Sequence, residues 1–276
     1  MGFAGNQKAR VSHNSSRLLL FAICATLQLS CLGQTDPAEI IKLAAKANER
    51  DFQASPQFDC TVREISKKDG TTTDKTFDVR MIEGTPYRRL IAINGKPLSA
   101  AAQNEENQKE ARERERQSHE SSFERKRRVS EYQKELNHDH LLMTEMTRAF
   151  TFTLAGEEQW NGHPVYVLDA IPLRDYKPPV RDARVLTGMK GRMWIDKTGY
   201  HWAKVEAEVT RPVTFGYFIA KVEPGTYFVL EQSPVTPQIW QPQRFGMSVA
   251  SKVLWKQRNS QSEETYTNYR RAEQKH

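Results

Sequence analysis

The stretch GRMWIDKTGYHWAKVEAEV, residues 191–209, is the clearest antiparallel hairpin in this chain of 276 residues. Residues 193–196 and 202–209 carry the aromatic and β-branched side chains that favour strands. Lys197-Thr198-Gly199 lies between the two runs and has the composition of a turn. The spacing therefore predicts two paired strands joined by a short connection.

Similar runs extend on both sides of this hairpin. Asp69-Gly70 and Asn94-Gly95, two strong hairpin turns, separate strand-like runs in the N-terminal part. Gly216 and Pro242 fall inside runs, where they suggest a bulge and an edge position. Further strands are predicted at residues 214–222, 227–232, 240–245, 247–255 and 264–270. The whole pattern predicts roughly nine to eleven antiparallel strands.

A sheet of this size cannot stay flat, because strands twist, so it must curl, split or close. Residues 37–50 carry apolar side chains at helical spacing behind Asp36, a good N-cap. Residues 141–150 form a second apolar stripe that can dock a helix on the sheet. The predicted fold class is α+β: a strongly curved antiparallel sheet, a half-barrel, covered by helices, in one domain over residues 34–276.

A long charged helical insertion is predicted over about residues 99–149. Ser99 is a plausible N-cap, and residues 107–137 are dominated by Glu, Arg, Lys and Gln. The simplest interpretation is a solvated helix or helical hairpin. Because Arg125-Lys126-Arg127-Arg128 are adjacent, a peripheral contact with anionic lipid headgroups is an alternative. Binding of another envelope protein is a third possibility.

The first 33 residues have the order of a signal peptide. Lys8, Arg10 and Arg17 precede the apolar run 18–27, and Cys31-Leu32-Gly33 offers small residues for cleavage. This predicts an exported protein of the periplasm or cell envelope whose mature chain begins at Gln34. Lipidation of Cys31, as in a bacterial lipoprotein, is the alternative.

Charge and cysteine content argue against nucleic-acid binding and against stabilisation by disulfides. The formal charge is +7, and removal of the three signal-peptide cations lowers it to +4. Lys and Arg alternate with Asp and Glu along most of the chain, so nucleic acid is not an expected partner. Cys60 is the one cysteine left after cleavage, so no intramolecular disulfide is expected, and a buried structural role is favoured for it.

Three segments resemble known exported proteins. Residues 191–197 with 203–206, and the closing residues 264–270, resemble strands of the LolA-like lipoprotein-carrier superfamily. Residues 165–234 are similar to a family of exported acidobacterial proteins, through Asp175-Tyr176-Lys177-Pro178-Pro179, residues 184–186 and residues 224–226. The resemblance implies a curved-sheet fold. It also implies a carrier of lipids or acylated lipoproteins, or a sensor of envelope stress.

Motifs for catalysis or metal binding are weak. His138-Asp139-His140 has metal-ligand residue types, but in a helix the two histidines point in different directions, and a polar helix junction is favoured. The chain lacks a Gly-x-Ser-x-Gly elbow, a His-Glu-x-x-His pair and a glycine-rich phosphate loop. We therefore expect that the protein is not an enzyme and that it binds neither a cofactor nor a metal ion.

The predicted function is binding of a lipid or an acylated lipoprotein in the concave apolar face of the sheet. The candidate wall residues are apolar side chains assigned to one face of the predicted strands: Phe152, Val167, Met193, Ile195, Phe215, Tyr217 and Ile219. The five tryptophans either pack the core or line the same cavity. The alternative function is a structural or scaffolding envelope module whose charged helical arm binds a protein partner.

Overall fold

A computed structural model describes residues 36–215, 220–253 and 256–272, so the predicted signal peptide and Cys31 lie outside the described residues. The described helices are α1 (Pro37–Ala54), α2 (Ala100–Ser118) and α3 (Ser122–Ala149), with 3₁₀ helices at Ser55–Gln57 and Asp182–Gly188. The strands are β1 (Phe58–Lys68), β2 (Thr71–Ile82), β3 (Thr85–Ile93), β4 (Lys96–Pro97), β5 (Phe150–Trp160), β6 (His163–Pro172), β7 (Met189–Asp196), β8 (Trp202–Val209), β9 (Val213–Phe215), β10 (Ala220–Val222), β11 (Tyr227–Thr236), β12 (Ile239–Val253) and β13 (Lys256–Arg271).

The strands form an open, curved antiparallel sheet. Its order is β4-β3-β2-β1-β13-β12-β11-β8-β7-β6-β5, and β10 pairs with β12 and β9 beside this path. The α+β class is confirmed. The described part of the chain has 13 strands, more than the nine to eleven predicted, because β4, β9 and β10 are only two or three residues long.

One sequence prediction about a strand is wrong. Residues 214–222 do not form one strand, because β9 and β10 pair antiparallel with each other, with Phe215 opposite Ala220. Pro242 is locally at an edge, as predicted, because it pairs with Gln232 of β11 while the pairing of β12 with β13 begins only at Arg244. The register with β11 shifts beside Pro242, and such an irregularity accommodates a residue that has no backbone N–H to donate.

Helix α1 packs its apolar side on the sheet, as its spacing predicts. The Asp36 side chain caps the helix by accepting a hydrogen bond from the backbone N–H of Ala38 at 3.0 Å. Ile40, Ile41 and Ala44 are buried, while the opposite side of the helix is exposed. The end of α3 lies nearby with Met146 buried, so the two predicted covering helices occupy the same side of the sheet.

Helices α2 and α3 form the charged arm, residues 100–149. A capping box at Ser121 and Glu124 starts α3 directly after α2 ends. The predicted solvated helical hairpin needs one correction: α2 lies against β3 and buries Glu110 and Gln117. The contact of α2 with the sheet could not be predicted from apolar spacing, because it is made by ion pairs. Glu110 is bound by arginines of β2, β3 and α2 itself.

Cys60 is buried in β1, in agreement with the structural role predicted for it. Burial raises the pKa of the Cys60 thiol to about 11, from an ordinary value of 9.0. Because the thiolate is the reactive form, this shift lowers its population about a hundredfold at neutral pH.

We therefore expect the folded protein to resist thiol reagents at pH 8. A disulfide exchange reagent followed by absorbance should modify Cys60 slowly in buffer and stoichiometrically in denaturant. A chain of residues 34–276 is the sample for this measurement, since Cys60 is the only cysteine in that range of the sequence. Equal labelling rates with and without denaturant would contradict the described burial.

Candidate ligand-binding face

The inner face is the side of the sheet toward α1. It is formed by buried apolar side chains of β6, β7, β8 and β11: Tyr166, Leu168, Ala170, Met193, Ile195, Val205, Ala207, Val209 and Leu230. These residues follow the period of two that places alternate side chains on one face of a strand. The inner face is therefore continuous and apolar across four consecutive strands of the sheet, in the order β11-β8-β7-β6.

Helix α1 fills most of the space above the inner face. Ile40 and Ala44 have no exposed surface, and Ile41 is 7 % exposed. Met146 of α3 and Leu186 of the 3₁₀ helix complete the cover. The inner face is thus a packed core, and α1 contributes its central side chains.

One small apolar void remains inside this core. Its volume is about 20 Å³, and Met146, Phe150, Phe152, Met189, Met193 and Phe228 are among its lining side chains. It lies beside a row of small residues, Ala170, Gly191 and Ala207, which are paired across β6, β7 and β8. A Cβ at Gly191 would come within 2.7 Å of the Glu206 carbonyl oxygen, so this position requires glycine.

The structure brings together part of the predicted wall. Met193 and Ile195 lie on the inner face, and Phe152 packs against it from β5. Val167 does not, because it shares the opposite face with Val165 and packs with Trp194, Ala203 and Trp240. Its neighbours Tyr166 and Leu168 take the inner positions instead, as strand alternation requires.

The remaining three wall residues were assigned to a single strand over residues 214–222, which the structure does not contain. Phe215 ends β9, and Tyr217 and Ile219 lie outside the described residues. Their assignment to the wall stays a prediction. The sequence interpretation also missed Met146, Met189 and Phe228, whose signal was present as apolar residues at the ends of α3, β7 and β11.

A buried polar group fastens the C-terminal end of α1 to the sheet. One carboxylate oxygen of Asp51 accepts a hydrogen bond from His201 Nδ1 at 2.6 Å, and the other accepts one from the backbone N–H of Trp240 at 3.1 Å. An Arg50 guanidinium nitrogen lies 3.2 Å from His201 Nε2. Since arginine can only donate, Nε2 accepts and Nδ1 carries the proton that His201 donates to Asp51.

The surroundings hold the His201 ring in this position. The ring stacks on Trp240 with centroids 5.3 Å apart and an interplanar angle of 7°. Gly199 leaves space for it, because a Cβ there would lie 2.5 Å from His201 Cδ2. The Asp51–His201 pair is 2–4 % exposed and is fully used in attaching α1.

The other polar candidates have structural partners. His138 Nε2 lies 3.1 Å from Asp182, while His140 pairs with Glu49 at 2.6 Å and stacks on Phe52. In the described part of the chain, no three His, Cys, Asp or Glu side chains are grouped to hold a metal ion. Trp194, Trp202 and Trp240 are buried, and Trp255 lies outside the described residues.

Comparisons with known proteins give structural similarity only. No family model matches the chain, and no curated protein matches it in sequence. The chain is similar to a Vibrio parahaemolyticus domain described as an outer membrane lipoprotein-sorting protein, with 15 % identity, 85 % of this chain and 93 % of that chain covered, and a TM-score of 0.34.

Two further solved structures are similar to the chain. A DUF1329 family protein from Desulfovibrio piger has 13 % identity, covers 86 % of this chain and 94 % of its own, and gives a TM-score of 0.34. A LolA superfamily protein from Nitrosomonas europaea has 11 % identity, the same two coverages and a TM-score of 0.31. Within the described residues, none of the helices is long and apolar enough to span a membrane.

Proposed function

We propose that this protein is a non-enzymatic component of the bacterial envelope that binds an acyl chain of a lipid or of an acylated protein. The acyl chain would lie on the inner face, in the space that α1 occupies. The observation that carries the proposal is the cover itself: the central part of the apolar face is covered by α1, an amphipathic helix that precedes the sheet in sequence.

The lining of the inner face suits a flexible hydrocarbon chain. Met146, Met189 and Met193 surround the void, and methionine side chains adapt to different apolar shapes. Phe150, Phe152 and Phe228 supply broad apolar surface next to them. Displacing Ile40, Ile41 and Ala44 would exchange one set of apolar contacts for another, so the net free energy of the exchange is small compared with either set.

The polar groups near this face support binding rather than catalysis. Asp51 and His201 are the buried acid and base beside α1, and both ends of the pair are engaged in holding the helix. The lining of the void contains no serine, threonine or cysteine among the described residues. Export to the periplasm or cell envelope, predicted from residues 1–33, would place the protein where lipids and acylated proteins are exchanged.

Native mass spectrometry of the purified mature chain tests this proposal. We expect a fraction of the protein to carry lipid, and we expect Ile195→Trp to lose it because the larger side chain occupies the inner face. Ile195→Trp should also cost about 1–3 kcal/mol by overpacking. Val167→Trp is the matched control, since Val167 is similarly buried on the opposite face. Absence of lipid from the wild-type protein, with no binding of added fatty acid, would refute the proposal.

The scaffolding alternative stays a prediction. Helix α2 uses its buried face on β3, so that face is not available to a partner. Phe123, in the first turn of α3, is 73 % exposed and is the large apolar side chain that the arm presents to solvent. A protein partner of the arm would be expected to contact it.

A further inference from the structure

A cavity of about 550 Å³ lies where the arm meets the end of the sheet. We call it the arginine cavity. Its walls come from the start of β1, the β2–β3 turn, the end of α2, the start of α3 and the end of β13. Its charged lining consists of five arginines and two carboxylates: Arg80, Arg114, Arg125, Arg270, Arg271, Asp59 and Glu83.

Four of the five lining arginines are held in place by acids around the cavity. Asp78 binds Arg80 at 2.7 Å and Arg270 at 2.6 Å, and it also binds Arg89 at 3.0 Å from β3. Glu110 of α2 pairs with Arg114 at 2.8 Å. Glu83 pairs with Arg125 at 2.9 Å. The guanidinium groups are therefore positioned before any ligand arrives.

Asp78, which binds three of these arginines, stays ionised. Burial of Asp78 opposes its ionisation, but hydrogen bonds from Arg270, Arg89 and Arg80 outweigh burial, and the pKa of Asp78 is lowered. Ionised Asp78 keeps its hydrogen bonds with the guanidinium groups. Asp78 thus holds Arg80, Arg89 and Arg270 across the neutral pH range.

Positive charge remains in excess after this pairing. With Arg89, Asp78 and Glu110 included, six arginines face four carboxylates among the residues that the structure describes. Among the described residues, Arg271 has Gln57 and the ring of Phe58 as its partners, with no carboxylate. Each guanidinium has five N–H donors, and the described hydrogen bonds of Arg270 and Arg271 use one nitrogen each. Donors remain for a ligand.

We propose that the arginine cavity binds a phosphate group. A guanidinium matches two phosphate oxygens with two parallel hydrogen bonds, which makes arginine suited to phosphate recognition. The uncharged lining residues are Pro56, Met81, Ile82, Gly84, Ser118 and Ala272, so the described part of the lining has no aromatic ring on which a nucleobase could stack. The phosphate is supplied either by a phospholipid headgroup or by a free phosphate compound.

The experiment uses the full mature chain and a double variant, Arg125→Gln with Arg271→Gln. These two arginines line the cavity but do not bind Asp78 or Glu110 in the described structure, so the network behind them is left in place. Lys190→Gln with Arg192→Gln is the matched control, because it also removes two cations, both of them on β7 and outside the cavity lining. Thermal unfolding shows whether all three proteins are equally folded.

One arm of the experiment measures pyrophosphate binding by calorimetry at low ionic strength. The other measures sedimentation with phosphatidylcholine vesicles, with and without phosphatidylglycerol. We expect the affinity of the cavity variant to be lower than that of the wild type by a factor of about ten or more. The control should bind like the wild type. Pyrophosphate binding alone identifies a free phosphate compound as the source, and phosphatidylglycerol-dependent sedimentation identifies a headgroup. Binding that survives in the cavity variant, or no binding in either arm, would overturn the proposal.

Discussion

Replacing Ile40 with alanine is expected to raise the apparent affinity of this protein for an acyl chain by about a hundredfold. Ile40 is fully buried between α1 and the inner face, and truncating a buried isoleucine typically costs about 2–5 kcal/mol. If α1 must move before a ligand binds, this loss lowers the cost of moving it. The apparent dissociation constant then falls tenfold for each reduction of about 1.4 kcal/mol in the cost of moving α1.

Titration with a fluorescent fatty acid measures this change. Ile82→Ala is the matched control, because Ile82 is 3 % exposed but lies in β2, away from the inner face. Both variants should unfold at a lower temperature than the wild type. Only Ile40→Ala should bind the fatty acid more tightly. Equal affinities in the two variants would show that α1 is a permanent part of the core.

Replacing Asp51 with asparagine is expected to destabilise the fold by about 1–3 kcal/mol, although the two side chains have nearly the same shape. The Asp51 carboxylate accepts from His201 Nδ1 and from the Trp240 backbone N–H, on different oxygens. An amide offers one acceptor and one donor in their place, so one of these N–H groups faces another donor. A buried donor without an acceptor costs about this amount.

Rearrangement of His201 does not relieve this conflict. Moving its proton to Nε2 would set that N–H against the Arg50 guanidinium, which can only donate. For a domain of this size the loss corresponds to a fall in melting temperature of about 2–4 °C per kcal/mol. Asp69→Asn in the exposed β1–β2 turn is the control and should change the melting temperature little. A neutral effect of Asp51→Asn would mean that α1 is not held by this pair.

Local features of the fold were predictable because their physical cause is local. Both predicted hairpin turns have the positive φ angles that tight turns favour. The values are 49° at Asp69 and 81° at Gly70 in the first turn, and 52° at Asn94 and 70° at Gly95 in the second. Lys68 consequently pairs with Thr71 across the first of them. The caps of α1 and α2 at Asp36 and Ser99 are hydrogen bonds over two or three residues and were equally visible in the sequence.

Features that depend on distant residues were not predictable in this way. Asp51 and His201 are 150 positions apart, and neither stands in a recognisable motif. Val167 was placed on the wrong face because an apolar run on a strand covered on both sides does not show which alternate set faces inward. The arm was taken as solvated because its contacts with β3 are ionic, and periodicity analysis registers apolar contacts only.

The pairing of β1 with β13 constrains the order in which this sheet can be completed. Val62 lies opposite Tyr266, so the first long strand of the chain finds its neighbour in the last. Strands β2, β3 and β4 join the rest of the sheet through that pairing. A contact across some two hundred residues closes slowly, because loop closure must precede any gain in energy. In a chain that is synthesised from its N-terminus, strands β1 to β4 would therefore wait for β13 before they join the rest of the sheet.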